Sequence, residues 1–245
     1  MFQKFISYIA VICLSITAIQ AQDRFTVSGR ADFVSNYVWR GSDQNSGFSV
    51  QPSLGFAYKG FSLSAFGSQS LTHAQDAAQE FDIILGYSHK GFGILLSDYW
   101  WNGMNAAYGH YSKGHHFEAA LSYSFQDACN LPLTLSWATI FAGGDDFRTR
   151  NDGSKGRAYS TYISAWYDLS LPLNITLTPS VGFTPWEGMY HTQATFTDFS
   201  LKATKNIQVS HTFSIPLFVQ VIVAPHDSAK GVDKTYLIAG FSLVL

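Results

Sequence analysis

Charge is scarce in this chain. Asp, Glu, Lys and Arg make up 13% of its 245 residues, against about 25% in an ordinary soluble domain. The net charge of −2 supplies no basic surface, which excludes nucleic acid as a partner. Cysteine is nearly absent: Cys13 lies in an apolar N-terminal run and Cys129 stands alone after it. That excludes a disulfide framework, and with no base beside it Cys129 reads as a tolerated turn thiol. After residue 21 no run is long and apolar enough for a spanning helix, so a chain of this kind can cross a bilayer only as a closed barrel. No Gly-rich phosphate loop precedes a helix, which removes nucleotide chemistry. Metal-ligand spacing is missing too. His115 and His116 are adjacent and point to opposite sides of a strand, His73, His191 and His226 are scattered through loops, and Asp145-Asp146 with Asp152 lack the EF-hand order. No metal or cofactor is expected.

The N-terminus reads as an export signal. Lys4 precedes an apolar stretch over residues 5–19, and Ala21 offers a small residue for cleavage before Gln22. Cys13 follows Ile12 rather than a small residue, so a lipoprotein signal is not indicated. Residues 1–21 are therefore predicted to be a signal peptide, and 22–245 a single domain.

What is abundant is alternation with period two. Phe25, Val27, Gly29, Ala31, Phe33, Ser35, Tyr37 and Trp39 interleave with the mostly polar Thr26, Ser28, Arg30, Asp32, Asn36 and Arg40. Similar segments recur over 48–58, 61–66, 81–87, 92–96, 117–125, 131–141, 159–169, 175–183, 199–203, 217–223 and 235–245. Each reads as a strand with one apolar and one polar face. Short turns fall at Lys59-Gly60, at 89–91, 127–131, 170–173 and 210–216. Longer polar connections lie at 41–47, 68–79, 102–115, 143–156, 185–194 and 225–233. Short and long connections in alternation predict an all-β fold: an up-and-down antiparallel transmembrane β-barrel of about twelve strands, in a range of about ten to fourteen.

The residues on the polar face separate this fold from a soluble sandwich. They are mostly Ser, Gly, Ala and Thr, as in Ser49-Ser53-Gly55 and Ala120-Ser122-Ser124, and small groups of this kind suit a crowded lumen. Aromatics mark the strand ends. Phe25, Tyr58, Phe61, Tyr87, Phe92, Tyr123 and Phe125 stand on the turn side, with Trp39, Phe48, Phe141 and Tyr159 on the loop side, as two interfacial girdles would.

The segment Val34-Ser35-Asn36-Tyr37-Val38-Trp39-Arg40-Gly41 resembles the Gcw_chp family of bacterial proteins. The stretches Ser97-Asp98-Tyr99-Trp100-Trp101, Ala158-Tyr159-Ser160-Thr161-Tyr162 and Gly182-Phe183-Thr184-Pro185-Trp186-Glu187-Gly188 are similar, as is the ending Gly240-Phe241-Ser242-Leu243. The resemblance spans most of the predicted mature chain and implies an outer-membrane barrel, without an established activity or catalytic residues. The ending at Leu245 departs from barrels that finish on an aromatic residue.

Chemistry is expected in the lumen. Arg30 and Asp32 share one face, and Asp82, Glu118, Asp198 and Lys202 are the other inward ionisable candidates. They form either a salt-bridged plug or a mixed-charge constriction. Arg40, at the end of the first strand, is expected to cap its loop. His110 and Ser112, with Glu118 nearby, suggest the His/Ser/acid sets of lipid hydrolases, but the glycines and lysine around them read as loop. The leading expectation is a passive channel for small solutes in a Gram-negative outer membrane, in contact with lipid and lipopolysaccharide. The alternative is a non-conducting scaffold blocked by Arg–Asp pairing and by inward Phe66, Tyr162 and Trp166. A lipid hydrolase using His110 and Ser112 is the weakest reading.

Overall fold

Two-residue turns set the register of the sheet. Tyr58 pairs with Phe61 and His89 with Phe92, leaving Lys59-Gly60 and Lys90-Gly91 as the turns, with φ of 48° and 86°, and 48° and 84°. Positive φ at both central positions gives the type I′ turn, whose twist matches that of the flanking strands. The Lys-Gly signal in the sequence therefore fixes two hairpins outright.

The structure, a computed structural model, describes residues 25–72, 79–101, 107–111, 113–144, 146–150, 152–210, 213–227 and 232–245. The predicted signal segment, 1–21, lies outside them. Twelve strands build the wall: β1 Thr26–Val34, β2 Ser49–Tyr58, β3 Phe61–Ser70, β4 Glu80–His89, β5 Phe92–Trp101, β6 His115–Ser124, β7 Leu133–Gly143, β8 Thr161–Tyr167 continued as Leu169–Leu171, β9 Ile175–Thr184, β10 Thr195–Gln208, β11 Ser214–Asp227 and β12 Val232–Val244. Each pairs antiparallel with its sequence neighbour. β12 returns to β1, Phe33 opposite Phe241 and Arg30 opposite Val244, and closes the cylinder. The closure leaves no free strand in the wall, which lets the backbone groups of the paired segments bond within the sheet as a bilayer requires. A strand of about 9–11 tilted residues spans a bilayer, and most of these strands have that length.

The short turn between β6 and β7 contains a four-residue helix, α1 Gln126–Cys129, which ends at Asn130 in the left-handed conformation. Cys129 is free and exposed there. One expected long connection is shorter than the sequence suggested. β11 and β12 pair as far as Asp227 and Val232, so most of the predicted loop at 225–233 is strand. Pro225 and His226 looked like loop residues. A register shift between Ala224 and Asp227 accommodates the proline without ending the ladder.

The outer wall is apolar. Leu54, Leu63, Leu85, Leu96, Leu121, Leu135, Trp137, Leu201, Val219, Val221 and Leu237 are all exposed on it. A continuous belt of this kind far exceeds the apolar patch that a soluble monomer leaves in water, and it matches the lipid-facing band of a transmembrane barrel. Below the belt, at the short turns, aromatic rings meet in pairs. Phe61 packs on Tyr87 at 4.7 Å between centroids, Phe92 on Tyr123 at 4.6 Å, and Tyr123 on Phe125 at 4.8 Å. Phe25 and Tyr58 stand exposed on the same side, and Phe48, Phe141 and Tyr159 are exposed at the loop side.

Candidate functional site in the lumen

The first loop does not leave the barrel; it folds into it. Alternation in β1 holds through Val34, and the chain bends at Ser35 before continuing. Val38 then pairs with Asp43 and Trp39 with Ser42, so Arg40-Gly41 is the turn of a small hairpin. Its φ values are 51° and 82°, the same type I′ geometry as the outer turns. Gly41 is required twice over. Its φ lies in the left-handed region, and a Cβ there would stand 2.5 Å from the Thr197 carbonyl oxygen on β10. Around the turn, the Tyr37 amide donates to Asn36 Oδ1 and Ser46 Oγ, each at 2.9 Å, and the Asn36 amide group donates to Asp43 at 3.1 Å.

This placement corrects two sequence expectations. Trp39 is not part of the loop-side girdle: it is 7% exposed and lies inside, because the bend at Ser35 resets the parity that had put it on the lipid face. Arg40 does not cap its loop either. Its Nη1 and Nη2 donate to Glu118 Oε2 and Oε1 on β6, at 2.6 and 2.9 Å. Nη1 also donates to the Tyr190 hydroxyl. The guanidinium carbon stands 4.5 Å from the Trp39 ring centroid, 4.7 Å from that of Tyr162 and 5.4 Å from that of Tyr190, so π faces surround the charge. Tyr99 donates its hydroxyl to Glu118 Oε1 at 2.9 Å. Trp39 packs against Trp101 at 5.2 Å, Tyr190 at 5.7 Å and Tyr99 at 6.1 Å. An aromatic and ionic clasp thus crosses the loop-side half of the lumen.

Each of the six lumen candidates lies inside the wall. Arg30 Nε donates to Asp32 at 2.6 Å, and Arg30 Nη2 donates to Ser242 at 2.7 Å. Asp198 accepts from Tyr162 at 3.0 Å and from Thr197 at 2.9 Å. Gly182 makes room for that contact, since a Cβ there would collide with both Tyr162 and Asp198. Lys202 is buried with its ammonium 3.9 Å from the Phe218 ring centroid. Asp82 is fully buried on β4, and Glu118 is held by Arg40. Phe66 and Tyr162 are buried inside and Trp166 is half-buried. Val34, Phe218, Ile222 and Ile238 make an apolar cluster on one sector of the lumen. On the turn side of the clasp the lumen wall is small and partly open: Ser53, Gly55, Ser62, Ser64, Thr176 and Thr178 are all half-buried. On the loop side, Trp39, Arg40, Trp101, Tyr190 and Thr197 line a cavity of about 200 Å³.

Reading strands one to three residues longer recovers some of the residues that the sequence analysis missed. Glu80 shares the parity of Asp82, and Tyr99 that of Ser97; each lies just past the alternating core of its strand. Tyr37 and Tyr190 belong to loops, and nothing local announces where they point.

The histidine that meets a carboxylate is His115, not His110. Its Nδ1 lies 2.7 Å from Asp98 Oδ1 and its Nε2 2.5 Å from the Tyr108 carbonyl oxygen, and Tyr111 stacks on it at 4.2 Å. With both ring nitrogens engaged, His115 has none left to take a proton from a nucleophile. Ser112 lies outside the described residues, and Glu118 belongs to Arg40 in the lumen. The expected His110–Ser112–Glu118 set is therefore not assembled around Glu118. Among the described residues no group of three or more His, Cys, Asp or Glu side chains has metal-holding geometry.

Comparison with known proteins places the fold. The NanC porin is similar over 90% of this chain and 100% of its own, with 11% identity and a TM-score of 0.52. The KdgM porin matches over 88% and 97%, with 9% identity and a TM-score of 0.47. The outer membrane protein OprD from Pseudomonas aeruginosa matches over 82% and 60%, with 14% identity and a TM-score of 0.39. No curated protein matches the sequence. At these identities the likeness to NanC speaks for the barrel fold alone. Residues 18–236 match Gcw_chp, described as a bacterial protein of unknown function, and the chain belongs to that family.

Proposed function

We propose that the protein is an outer-membrane channel for small polar solutes, narrowed by its own first loop. The observation that carries this reading is the position of the hairpin. It divides a polar turn-side lumen from the loop-side cavity and is clasped to the far wall by side chains rather than built into the sheet. A barrier one hairpin thick, held by an ion pair and by ring packing, suits a constriction. The small half-buried Ser, Gly and Thr groups below it leave room for water. The apolar belt supports insertion in a bilayer, and a closed barrel of this class supports the outer membrane as its address.

A second reading is favoured by the Val34, Phe218, Ile222 and Ile238 cluster: a non-conducting barrel whose lumen is part of its core. Swelling of liposomes in solutes of graded size separates the two. The channel reading expects entry of the smallest polar solutes and a sharp size cut-off. Absence of swelling at every solute size would contradict it and leave the scaffold.

A further inference from the structure

Distant parts of the chain meet at the loop-side cavity. The first hairpin contributes Trp39, Ser42 and Gln44, and the end of β5 contributes Trp101. The β9–β10 loop adds Tyr190, and β10 its first residue, Thr195. The volume of about 200 Å³ lies below the roughly 300 Å³ at which pockets for drug-sized ligands begin, so the cavity suits one small ring rather than an extended chain. Rings and polar groups share its lining. The Trp39 centroid lies 5.2 Å from that of Trp101 and 5.7 Å from that of Tyr190, and Trp101 and Tyr190 are only half-buried. Gln44 donates from Nε2 to the Ser42 carbonyl oxygen at 3.0 Å. Its Oε1 and the hydroxyls of Ser42 and Thr195 have no hydrogen-bond partner among the described residues.

Charge is matched in this lining. Glu118 holds both terminal nitrogens of Arg40, and His191 accepts the Gln193 amide at Nδ1. No other described residue that lines the cavity is a carboxylate or an ammonium group. An ion entering would lose water without gaining a free counter-charge. A wholly apolar ligand would cut the Ser42, Gln44 and Thr195 oxygens off from water and leave them unpaired. A neutral ring with hydroxyls along its edge avoids both costs. The weakly positive C–H groups on the face of a pyranose pack on electron-rich aromatic faces, and its hydroxyls both donate and accept. We propose that this cavity binds one neutral pyranose ring, as an entry station on the loop side of the clasp. The entry role rests on the channel reading, whereas binding itself needs no conduction. Such a ring arrives free or at the end of a surface glycan, with the same chemistry.

The full chain is refolded into an amine-oxide detergent, which has no sugar headgroup, and titrated with methyl glucoside while tryptophan fluorescence is followed. The site predicts a saturable change for one sugar per chain, and none with sorbitol, which has the hydroxyls without the ring. Glucuronate should bind no tighter than the neutral sugar. Delipidated core oligosaccharide from lipopolysaccharide is titrated in parallel, and the tighter of the two sugars names the source. The Gln44→Leu/Thr195→Val double variant should weaken binding about tenfold, the size of two lost hydrogen bonds. Trp101→Leu should abolish it, and the rim double variant covers the case of a Trp101→Leu chain that does not fold. Absence of saturable binding by either sugar overturns the site, as does equal binding of sorbitol or unchanged affinity in the rim variant. Tighter binding of glucuronate overturns the neutral class. Current through a planar bilayer separates the two readings. A barrel that conducts without binding sugar loses the site and keeps the channel; one that binds sugar and never conducts keeps the site and loses the entry role.

Discussion

Arg40 and Glu118 are 78 positions apart, yet they meet as a two-bonded ion pair at 2.6 and 2.9 Å in the middle of the barrel. Both side chains are 1% exposed. Taking two charges out of water is expensive, and the attraction offsets that cost only when geometry is good and the remaining valences are filled. Here most of them are filled: Tyr190 and Tyr99 complete the pair and three rings pack around the guanidinium, while Arg40 Nε has no hydrogen-bond partner.

Truncating one partner should therefore be costly. Arg40→Ala leaves Glu118 buried without its counter-charge, and Glu118→Ala does the same to Arg40. Each is expected to lower stability by about 3–5 kcal/mol, read as a lower temperature of unfolding in heat-shift electrophoresis. Arg40→Lys should recover only part of the loss, because an ammonium cannot make the paired contact.

The hairpin turn makes a second expectation. Gly41→Val places a branched side chain at φ of 82° and drives it toward the Thr197 carbonyl. A left-handed conformation alone costs an ordinary residue about 1–2 kcal/mol, and the collision adds to it. The hairpin should lift from the wall, and limited proteolysis of intact cells should cut within residues 35–48. Protection equal to wild type would mean that the turn tolerates the change.

How much of this was legible in the sequence depends on the range of the interaction. The strands were legible because alternation is local, and Lys59-Gly60 and Lys90-Gly91 carry their turn geometry in two residues. Arg30 with Asp32 was legible for the same reason: the pair sits on one strand at i and i+2. The direction of the first loop was not. Trp39 and Arg40 continue the alternating pattern on paper, while the bend at Ser35 and the distant Glu118, Tyr162 and Tyr190 decide where they go. Arg40-Gly41 between β-forming Val38-Trp39 and Ser42 was a usable hairpin signal. It reveals a turn, though not that the turn points inward.

The lipid face predicts an asymmetry along each strand. Leu85 lies exposed at mid-strand on β4 and pairs with Leu96 and Leu63. Leu85→Arg is expected to cost about 2–4 kcal/mol at the bilayer midplane and to reduce assembled barrel in the membrane fraction. Ser64→Thr, on the inner face of the neighbouring strand, should leave assembly unchanged. Equal assembly of Leu85→Arg and wild type would place that face away from lipid.

His115 yields an expectation about chemistry. With its nitrogens held by Asp98 and the Tyr108 carbonyl, it has no free position for catalysis. Purified protein in mixed micelles is expected to release no fatty acid from phospholipid. Release that disappears in Ser112→Ala would reinstate the hydrolase.

The most direct test of the account is the single-channel current of the wild-type barrel and of Arg40→Ala in the same planar bilayer. A loop-narrowed channel predicts small, steady steps for wild type and steps several times larger, or strongly flickering, once the clasp is cut. Two silent barrels, or identical steps from both, would contradict the claim that this hairpin sets the width of an open path.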